Sequence, residues 1–418
     1  MKLSELKIKT KRKVSEETKG FSFLIQANFI DRVTSGIYSY LPLGYRVIKK
    51  IEKIVREEIE KIKGQEILMP ALHPKSLWEK TNRWETFDAL FKVQSKYGPW
   101  YALGPTHEEV VTPLAKNFIF SYKDLPFYVY QIQTKFRDEP RPKGGLMRTR
   151  EFIMKDLYSF HKDEKDLENY YEKVKRAYQK IFKRCGLKPI IVEASGGTFS
   201  PYSHEFQVIT KIGEDKIKYC PKCLIGFNEE LKRKEKNCSF CGNPLIEAEA
   251  AEVGNIFKLK DKYSRSLDLK FIDKDGQEKY VIMGCYGIGI SRILSVLSEV
   301  FSDDKGLVFP LEVAPFEFII LPLLTGKKPQ ETKIKKRAEE IYRFLLENNK
   351  EVLLDDRLLN AGEKFYDADL LGIPYRIIFS EKTVRNNELE IKNRQKGKVK
   401  LIKIKEFKNI ILKNGILF

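Results

Sequence analysis

Apolar positions between residues 44 and 63 recur every three or four places: Ile48, Ile51, Val55, Ile59 and Ile62, with lysines and glutamates between them. That spacing predicts an amphipathic helix, and Gly64 stands at the C′ position where such a helix ends. A short strand is expected over 66–69, stopped by Pro70. The same period returns over 166–185, where Leu167, Tyr170, Val174, Ala177, Tyr178, Ile181 and Phe182 form one stripe, followed by Gly186. Between these helices, 100–103, 127–139 and 148–159 alternate in the period-two manner of strands. Strands that cluster without regularly interposed helices predict an antiparallel sheet flanked by helices, an α+β architecture rather than a doubly wound parallel one.

Near residues 311–314 the pattern changes. A strand is expected over 318–323, a helix over 332–348, a strand over 352–354, a helix over 361–371 ended by Gly372, and a strand over 375–379. Alternating elements of this kind predict a small α/β domain of about 100 residues. The expected domains are therefore 1–312 and 313–418.

The chain has 418 residues, 42% hydrophobic and 32% charged, the balance of a globular chain with material for two or three domains. No apolar run approaches the roughly 20 residues of a membrane helix, so no membrane partner is expected. The Lys-rich start leads into no apolar segment and carries Glu5, Glu16 and Glu17, so it reads as neither a secretory nor a mitochondrial leader and the expected location is cytoplasmic. Lysine and arginine number 77 against 58 acids, a formal charge of +19. That surplus favours a polyanionic partner and speeds its capture, although a lysine-rich composition alone gives the same charge.

Residues 134–161 hold the densest chemistry. Arg137 and Glu139 are two apart, so on a strand both face the same way. Arg148, Arg150 and Phe152 likewise share a face of the next strand, and the stretch 140–146, with two prolines and a Gly-Gly pair, reads as a turn or loop. Arginine grips phosphate oxygens, glutamate accepts a hydrogen bond from an adenine amino group, and a phenyl ring stacks on a base. These are the groups a nucleoside triphosphate needs; a surface hairpin with an ordinary salt-bridge lattice would carry the same residues.

Six cysteines are present, four of them in two CxxC pairs. Cys220-Pro-Lys-Cys223 and Cys238-Ser-Phe-Cys241 are separated by 14 residues. Such spacing predicts a structural zinc ribbon with four thiolates, in an insert at 207–250, rather than a disulfide framework, and fits a reducing compartment; a relic pair of loops that no longer binds metal would keep the same spacing.

Three segments in order resemble the motifs of class II aminoacyl-tRNA synthetases. The first motif, a long helix and a strand ending in proline, is matched by 44–70. The second is matched by Phe136-Arg-Asp-Glu139, a loop, and Arg148 to Phe152. The third, a strand, a glycine pair and a helix beginning near an arginine, is matched by Met283-Gly-Cys-Tyr-Gly-Ile-Gly-Ile-Ser-Arg292. Taken alone, those glycines are also explained by a tight strand-to-helix junction. Ser35-Gly-Ile-Tyr-Ser-Tyr-Leu-Pro-Leu-Gly44, Leu103-Gly-Pro-Thr-His-Glu-Glu109, Ser203-His-Glu-Phe206 and Met283-Gly-Cys-Tyr-Gly287 narrow the resemblance to the prolyl-tRNA synthetases of bacterial type, over nearly the whole chain.

The resemblance implies the following roles. Arg137 and Arg292 are the catalytic pair, Arg137 contacting the α-phosphate and the substrate carboxylate. Glu139 and Phe152 hold the adenine, Arg148 and Arg292 the outer phosphates, and Glu252 is a metal or substrate ligand near ATP. Thr106 and Glu108, expected on one strand-like face, clamp the ammonium of proline. Met154, Tyr158, His204 and Cys285 line the proline pocket, although core packing equally explains Met154 and Tyr158. His107 is a supporting residue, and His73 and His161 have no catalytic role. Asn255 stands where the family usually shows His.

The resemblance further implies ATP as substrate with Mg²⁺, L-proline and tRNA(Pro) as partners, no DNA, and a homodimer through the first-motif helix. The implied reaction forms prolyl-adenylate with release of pyrophosphate, then transfers proline to the 3′-terminal ribose. Many bacterial-type relatives carry a large editing domain between the second and third motifs. Fewer than fifty residues separate Phe206 from Ala251 here, so no editing in cis is expected. Asp355-Asp-Arg357 and 362–374 resemble the class IIa anticodon-binding domain, with Arg357 and Lys364 as candidate contacts or else ordinary surface charges. The basic stretch 396–413 touches tRNA or stays solvated. Two alternatives stay open: another class IIa synthetase, for threonine, serine or glycine, and a non-catalytic tRNA-binding paralogue.

Overall fold

The computed structural model describes residues 1–6, 8–324, 328–413, 415 and 417. Asn414, Ile416 and Phe418, at the end of the expected 313–418 domain, lie outside the described residues. The chain forms two compact units: Val33–Tyr38 with Ile51–Val296, and Met1–Arg32 with Ser39–Lys50 and Leu297–Phe418. This partition differs from the boundary expected near 312. The N-terminal residues join the C-terminal body because Lys2 bridges to Leu354, Ser4 Oγ donates to Asp356 at 2.6 Å and Thr10 Oγ1 to Asp367 at 2.7 Å. Pairing over such separations leaves no periodic trace in a sequence.

The larger unit is built on a nine-stranded sheet. In spatial order its strands are Tyr202–Ile209, Ile190–Ser195, Ile225–Asn228, Asp215–Cys220, Ile246–Lys260, Ile282–Gly289, Glu151–His161, Phe127–Phe136 and Gln65–Glu66. Pairing is antiparallel, as the patterning predicts, except that Ile225–Asn228 runs parallel to Ile190–Ser195 and Gln65–Glu66 parallel to Phe127–Phe136. Ile246–Lys260 also pairs with Tyr202–Ile209. That contact closes the first five strands into a ring, filled by Ile190, Val192, Ile217, Tyr219 and Ala250.

Helix Glu164–Arg184 is capped by Asp163, which accepts from the Asp166 amide at 2.8 Å, and packs its predicted stripe against the sheet. Helix Pro42–Glu60 begins slightly before its periodic pattern. The left-handed residue at its end is Lys63 (φ +69°), not Gly64. Gly64 answers a steric need instead: a Cβ there would lie 2.6 Å from Ile59 Cγ2.

The other unit holds a five-stranded sheet in the order Val352–Leu354, Phe318–Pro322, Tyr375–Phe379, Glu388–Asn393 and Val399–Lys403. The first three run parallel, as an α/β domain requires, and the last two antiparallel. The basic stretch 396–413 is not merely solvated: Val399–Lys403 is a strand, and helix Ile404–Leu412 buries Ile404, Phe407 and Ile411. Lysines between its apolar positions mask that stripe in the composition. Among the described residues no helix is long and apolar enough to cross a membrane.

Candidate active site

One face of the large sheet carries a cleft of about 230 Å³. Thr106, Arg137, Glu139, Arg148, Phe152, Met154, Glu252, Cys285 and Arg292 all line it. The Glu151–His161 strand sends Phe152, Met154 and Asp156 into the cleft by simple alternation. The Ile282–Gly289 strand contributes Cys285 and leaves the floor bare at Gly287 and Gly289, and Arg292 follows on the first turn of helix Ile290–Val300.

Arg137 and Glu139 reach the cleft from just beyond the Phe127–Phe136 strand, where the Arg137 amide still bonds to Arg150 O at 2.9 Å. Arg148 sits in the connecting loop, in an isolated bridge with Lys143. The shared face expected for Arg148, Arg150 and Phe152 fails at Arg150. Its Nε donates to Glu139 O at 3.0 Å and its Nη1 to Ser35 O at 2.9 Å, since pairing does not resume regularly until Glu151.

The cleft's charges are unevenly satisfied. Arg148 Nε bonds Glu139 Oε2 at 2.6 Å, and Arg292 bonds Met147 O at 2.9 Å and Glu252 Oε2 at 3.3 Å. Arg137 has no side-chain hydrogen bond among the described residues; its buried Nε is unpartnered and its guanidinium stands 5.1 Å over the Phe152 ring. Burial, and next the neighbouring Arg292, lower its pKa. Glu252, Glu139 and Glu108 oppose that shift without pairing directly with Arg137, so the half-buried guanidinium keeps donors free for an anion in the cleft.

Below this lies a polar network. Thr106 Oγ1 donates to Glu108 Oε2 at 2.6 Å, and Cys285 Sγ donates to Glu108 Oε1 at 3.1 Å. Glu108 opens helix Glu108–Ala115 rather than continuing a strand, so the expected strand-like face with Thr106 is replaced by a cap-like turn. Tyr158 is fully buried beneath the wall; its hydroxyl accepts from the His107 amide and donates to Asp156, each at 2.9 Å. Lys135 Nζ lies 2.6 Å from His107 Nδ1, which leaves His107 Nε2–H to donate to Pro70 O at 3.0 Å. Burial, and next Lys135, lower the His107 pKa to about 3, so the ring is neutral and supports the loop. Buried Arg83 bonds Glu109 at 2.8 Å and Glu108 at 3.4 Å. Sequence reasoning missed Lys135, Asp156 and Arg83. Their only signal was charge at strand or helix positions that the apolar pattern points inward.

His204 is not in the cleft. On the Tyr202–Ile209 strand it pairs with Ile256 and faces the helix, 2.7 Å from the Tyr171 hydroxyl, in a second cavity. Its neighbour Glu205 takes the opposite face, where Asn255 Nδ2 donates to it at 3.3 Å and Gln207 Nε2 at 2.8 Å. Burial, and next Glu252, push the Glu205 carboxyl up to about 9. A one-residue choice of face separated the two.

The four cysteines of the insert converge, their sulfurs all within 4.8 Å of one another. Cys220 and Cys238 are buried, and the Cys223 amide donates to Cys220 Sγ at 3.4 Å. In the other unit, Lys364 is buried and donates to Pro322 O and Asp355 O, both at 3.0 Å. Arg357 is engaged by Asp355 at 2.8 Å and Asp367 at 2.9 Å. Neither offers the free head group expected of an anticodon contact, because both charges bind within the fold.

Residues 91–301 match the tRNA synthetase class II core domain (G, H, P, S and T), and residues 317–414 the anticodon binding domain. The proline–tRNA ligase of Anaplasma phagocytophilum (strain HZ) is 41% identical over 425 residues, spanning 97% of this chain and 98% of the relative. The chain belongs to the proline–tRNA ligase family. Within that family, the ligase of Desulforamulus reducens is 32% identical over 561 aligned positions, 97% of this chain and 98% of the relative. An alignment of 561 positions exceeds the 418 residues of this chain by 143, so that proline–tRNA ligase carries extra sequence. The fold is that of solved members: the Giardia lamblia prolyl-tRNA synthetase in complex with prolyl-adenylate has a TM-score of 0.78 at 22% identity, over 92% of this chain and 74% of that one. The Cryptosporidium parvum enzyme complexed with L-proline and AMP has a TM-score of 0.76 at 19% identity, over 94% and 74%.

Proposed function

We propose that the chain joins L-proline to tRNA(Pro) in two steps. A proline carboxylate oxygen attacks the α-phosphorus of ATP, the bond to the bridging oxygen breaks, and pyrophosphate leaves. The 3′-terminal ribose hydroxyl of the tRNA then attacks the carbonyl of the prolyl-adenylate and AMP leaves. The observation that carries this reading is the Arg137 guanidinium, half-buried in the cleft over Phe152 and without a side-chain hydrogen bond among the described residues. It supplies a fixed charge where the α-phosphate and carboxylate meet, and fixed charges aimed at developing charge act without reorganisation.

The remaining roles follow from position. Phe152 stacks on the adenine, Glu139 accepts from its amino group, and Arg148 turns from Glu139 to the outer phosphates beside Arg292. Glu252, next to Arg292, would hold the Mg²⁺ that accompanies ATP. Glu108, buried behind Thr106 and Cys285 of the lining, supplies the counter-charge for the proline ammonium from beneath the wall, with Met154 and Cys285 as its apolar part. The substrates supply both nucleophiles, so protein groups contribute alignment and charge.

The insert's four converging thiols fit a tetrahedral zinc, which would order the ribbon and take part in no step. Exposed Leu68 and Leu72 beside the first-motif strand support a homodimer. The basic balance supports tRNA as the polyanionic partner, and the domain division 1–312 and 313–418 is retained as a functional one: catalysis, then anticodon binding. A cytoplasmic location accords with these substrates.

Amino-acid-dependent exchange of pyrophosphate into ATP tests the reading. Stimulation by proline, and charging of tRNA(Pro), is expected. Stimulation by threonine, serine or glycine and not proline would overturn it, and no ATP binding at all would mark a non-catalytic paralogue.

A further inference from the structure

The larger unit has a second cavity, of about 390 Å³, bounded by the outer side of helix Glu164–Arg184 and by the cysteine ribbon. Phe227, Phe240 and Leu245 give it apolar walls, while Gln179, His204 and Asn237 give it a hydrogen-bonding edge. Flat apolar faces beside polar edges suit a nucleobase. Phe240 is 81% exposed although it stands between Cys238 and Cys241 in a tight knuckle. A ring displayed on so short a loop loses little freedom when it stacks.

Charge favours the same ligand. Arg176 lines the cavity, and Lys222, Lys232, Lys234 and Lys236 belong to the insert that bounds it; all five are exposed, and none has an ion-pair partner among the described residues. The acids at this cavity are largely neutralised: Glu193 pairs with Arg233 at 2.5 Å and Glu172 with Lys175 at 3.1 Å, leaving Glu235. An unpaired arginine sharing a cavity with an exposed aromatic ring, on an insert carrying further unpaired lysines, supplies the elements of single-stranded nucleic-acid binding: a platform for the base and charge for the phosphates. A base inside a duplex is already stacked and cannot enter.

The ribbon is rooted beside the cleft. Glu214 and Asp215 share a polar cavity with Arg137, Arg148 and Arg292, and Lys143 of the loop carrying Arg148 pairs with Glu214 at 3.3 Å. We infer that the ribbon and its cavity bind an unpaired nucleotide of the tRNA substrate, Phe240 stacking on the base and Arg176 with the insert's lysines holding the flanking phosphates. Naming tRNA as the occupant rests on the proposed function.

The test uses zinc-loaded full-length protein, with Phe240→Ala, Phe240→Trp and Arg176→Ala. Phe240→Ala should raise KM for tRNA about tenfold, the loss expected for one stacked base, and Phe240→Trp should restore it. Arg176→Ala should raise KM and flatten the salt dependence of tRNA binding. Proline-dependent pyrophosphate exchange, which needs no tRNA, should be unchanged in all three. An unaltered KM in Phe240→Ala, an equal rise in Phe240→Ala and Phe240→Trp, or a parallel loss of exchange would each overturn the inference. Filter binding of uncharged tRNA transcript gives the same comparison without catalysis, so failure of the ligase reading and failure of this one are separable.

Discussion

Lys135 Nζ lies 2.8 Å from Asp156 Oδ1, and both side chains are buried. Burial penalises both charges, yet Lys135 keeps the Asp156 carboxyl below its ordinary pKa. The pair anchors Tyr158 and His107, and so the Thr106–Glu108 turn. Asp156→Asn should strand a buried ammonium and cost about 3–5 kcal/mol in stability. Lys135→Met/Asp156→Asn should recover most of it, as urea midpoints would show. In the surviving protein, KM should rise for proline more than for ATP, since only the amino-acid side of the cleft leans on this network.

Arg137→Met separates activity from stability. Pyrophosphate exchange should fall by roughly 10²–10³, the cost of losing a fixed charge at a developing one. Thermal stability should change by no more than about 1 kcal/mol, because half-buried Arg137 makes no side-chain hydrogen bond or ion pair among the described residues and loses only its contact over Phe152. A large drop in melting temperature would contradict this account of Arg137.

Acid sensitivity follows from three histidines. Burial, with Lys135 next, lowers His73 to about 4 and His107 to about 3; burial, with Lys175 next, lowers His204 to about 4. A histidine depressed in the fold contributes stability that is complete above its unfolded pKa near 6.5 and lost as pH falls towards 4 and 3. Each should add a slope of about 1.4 kcal/mol per pH unit over that window. Glu205 has the opposite sign: raised to about 9, it contributes below its unfolded pKa near 4.5 and loses that contribution as pH rises towards 9. Urea midpoints should therefore fall from pH 6.5 to 4 in the parent. Glu205→Gln should gain stability over the parent between pH 5 and 9, its amide free to serve the orphaned Asn255 Oδ1 or Gln207 Oε1.

Removing metal should act on the ribbon alone. Elemental analysis should find one zinc per chain, lost in Cys238→Ser, with proline-dependent pyrophosphate exchange retained, because none of the four cysteines lines the cleft.

Discrimination against alanine rests on lost apolar contact, worth about 1–3 kcal/mol. Alanine should therefore be activated measurably. The insert, from Phe206 to Ala251, is occupied by the ring strands and the ribbon, so purified protein should not hydrolyse alanyl-tRNA(Pro). Release of alanine in that assay would refute the absence of editing in cis.

Local pattern determined much of this protein. The stripe of helix Glu164–Arg184, the Val352–Leu354, Ala361–Leu371 and Tyr375–Phe379 elements, and the gathering of Arg137, Glu139, Phe152 and Arg292 were legible because side-chain period and motif order are properties of neighbours along the chain. Only the tertiary structure decided the rest. It turned His204 away and left Glu205 near Asn255, because strand register, not residue type, selects a face. It buried Lys364 against two carbonyls and closed Ile246–Lys260 onto Tyr202–Ile209. Those outcomes depend on partners far off in sequence, whose pairing energy no local period encodes.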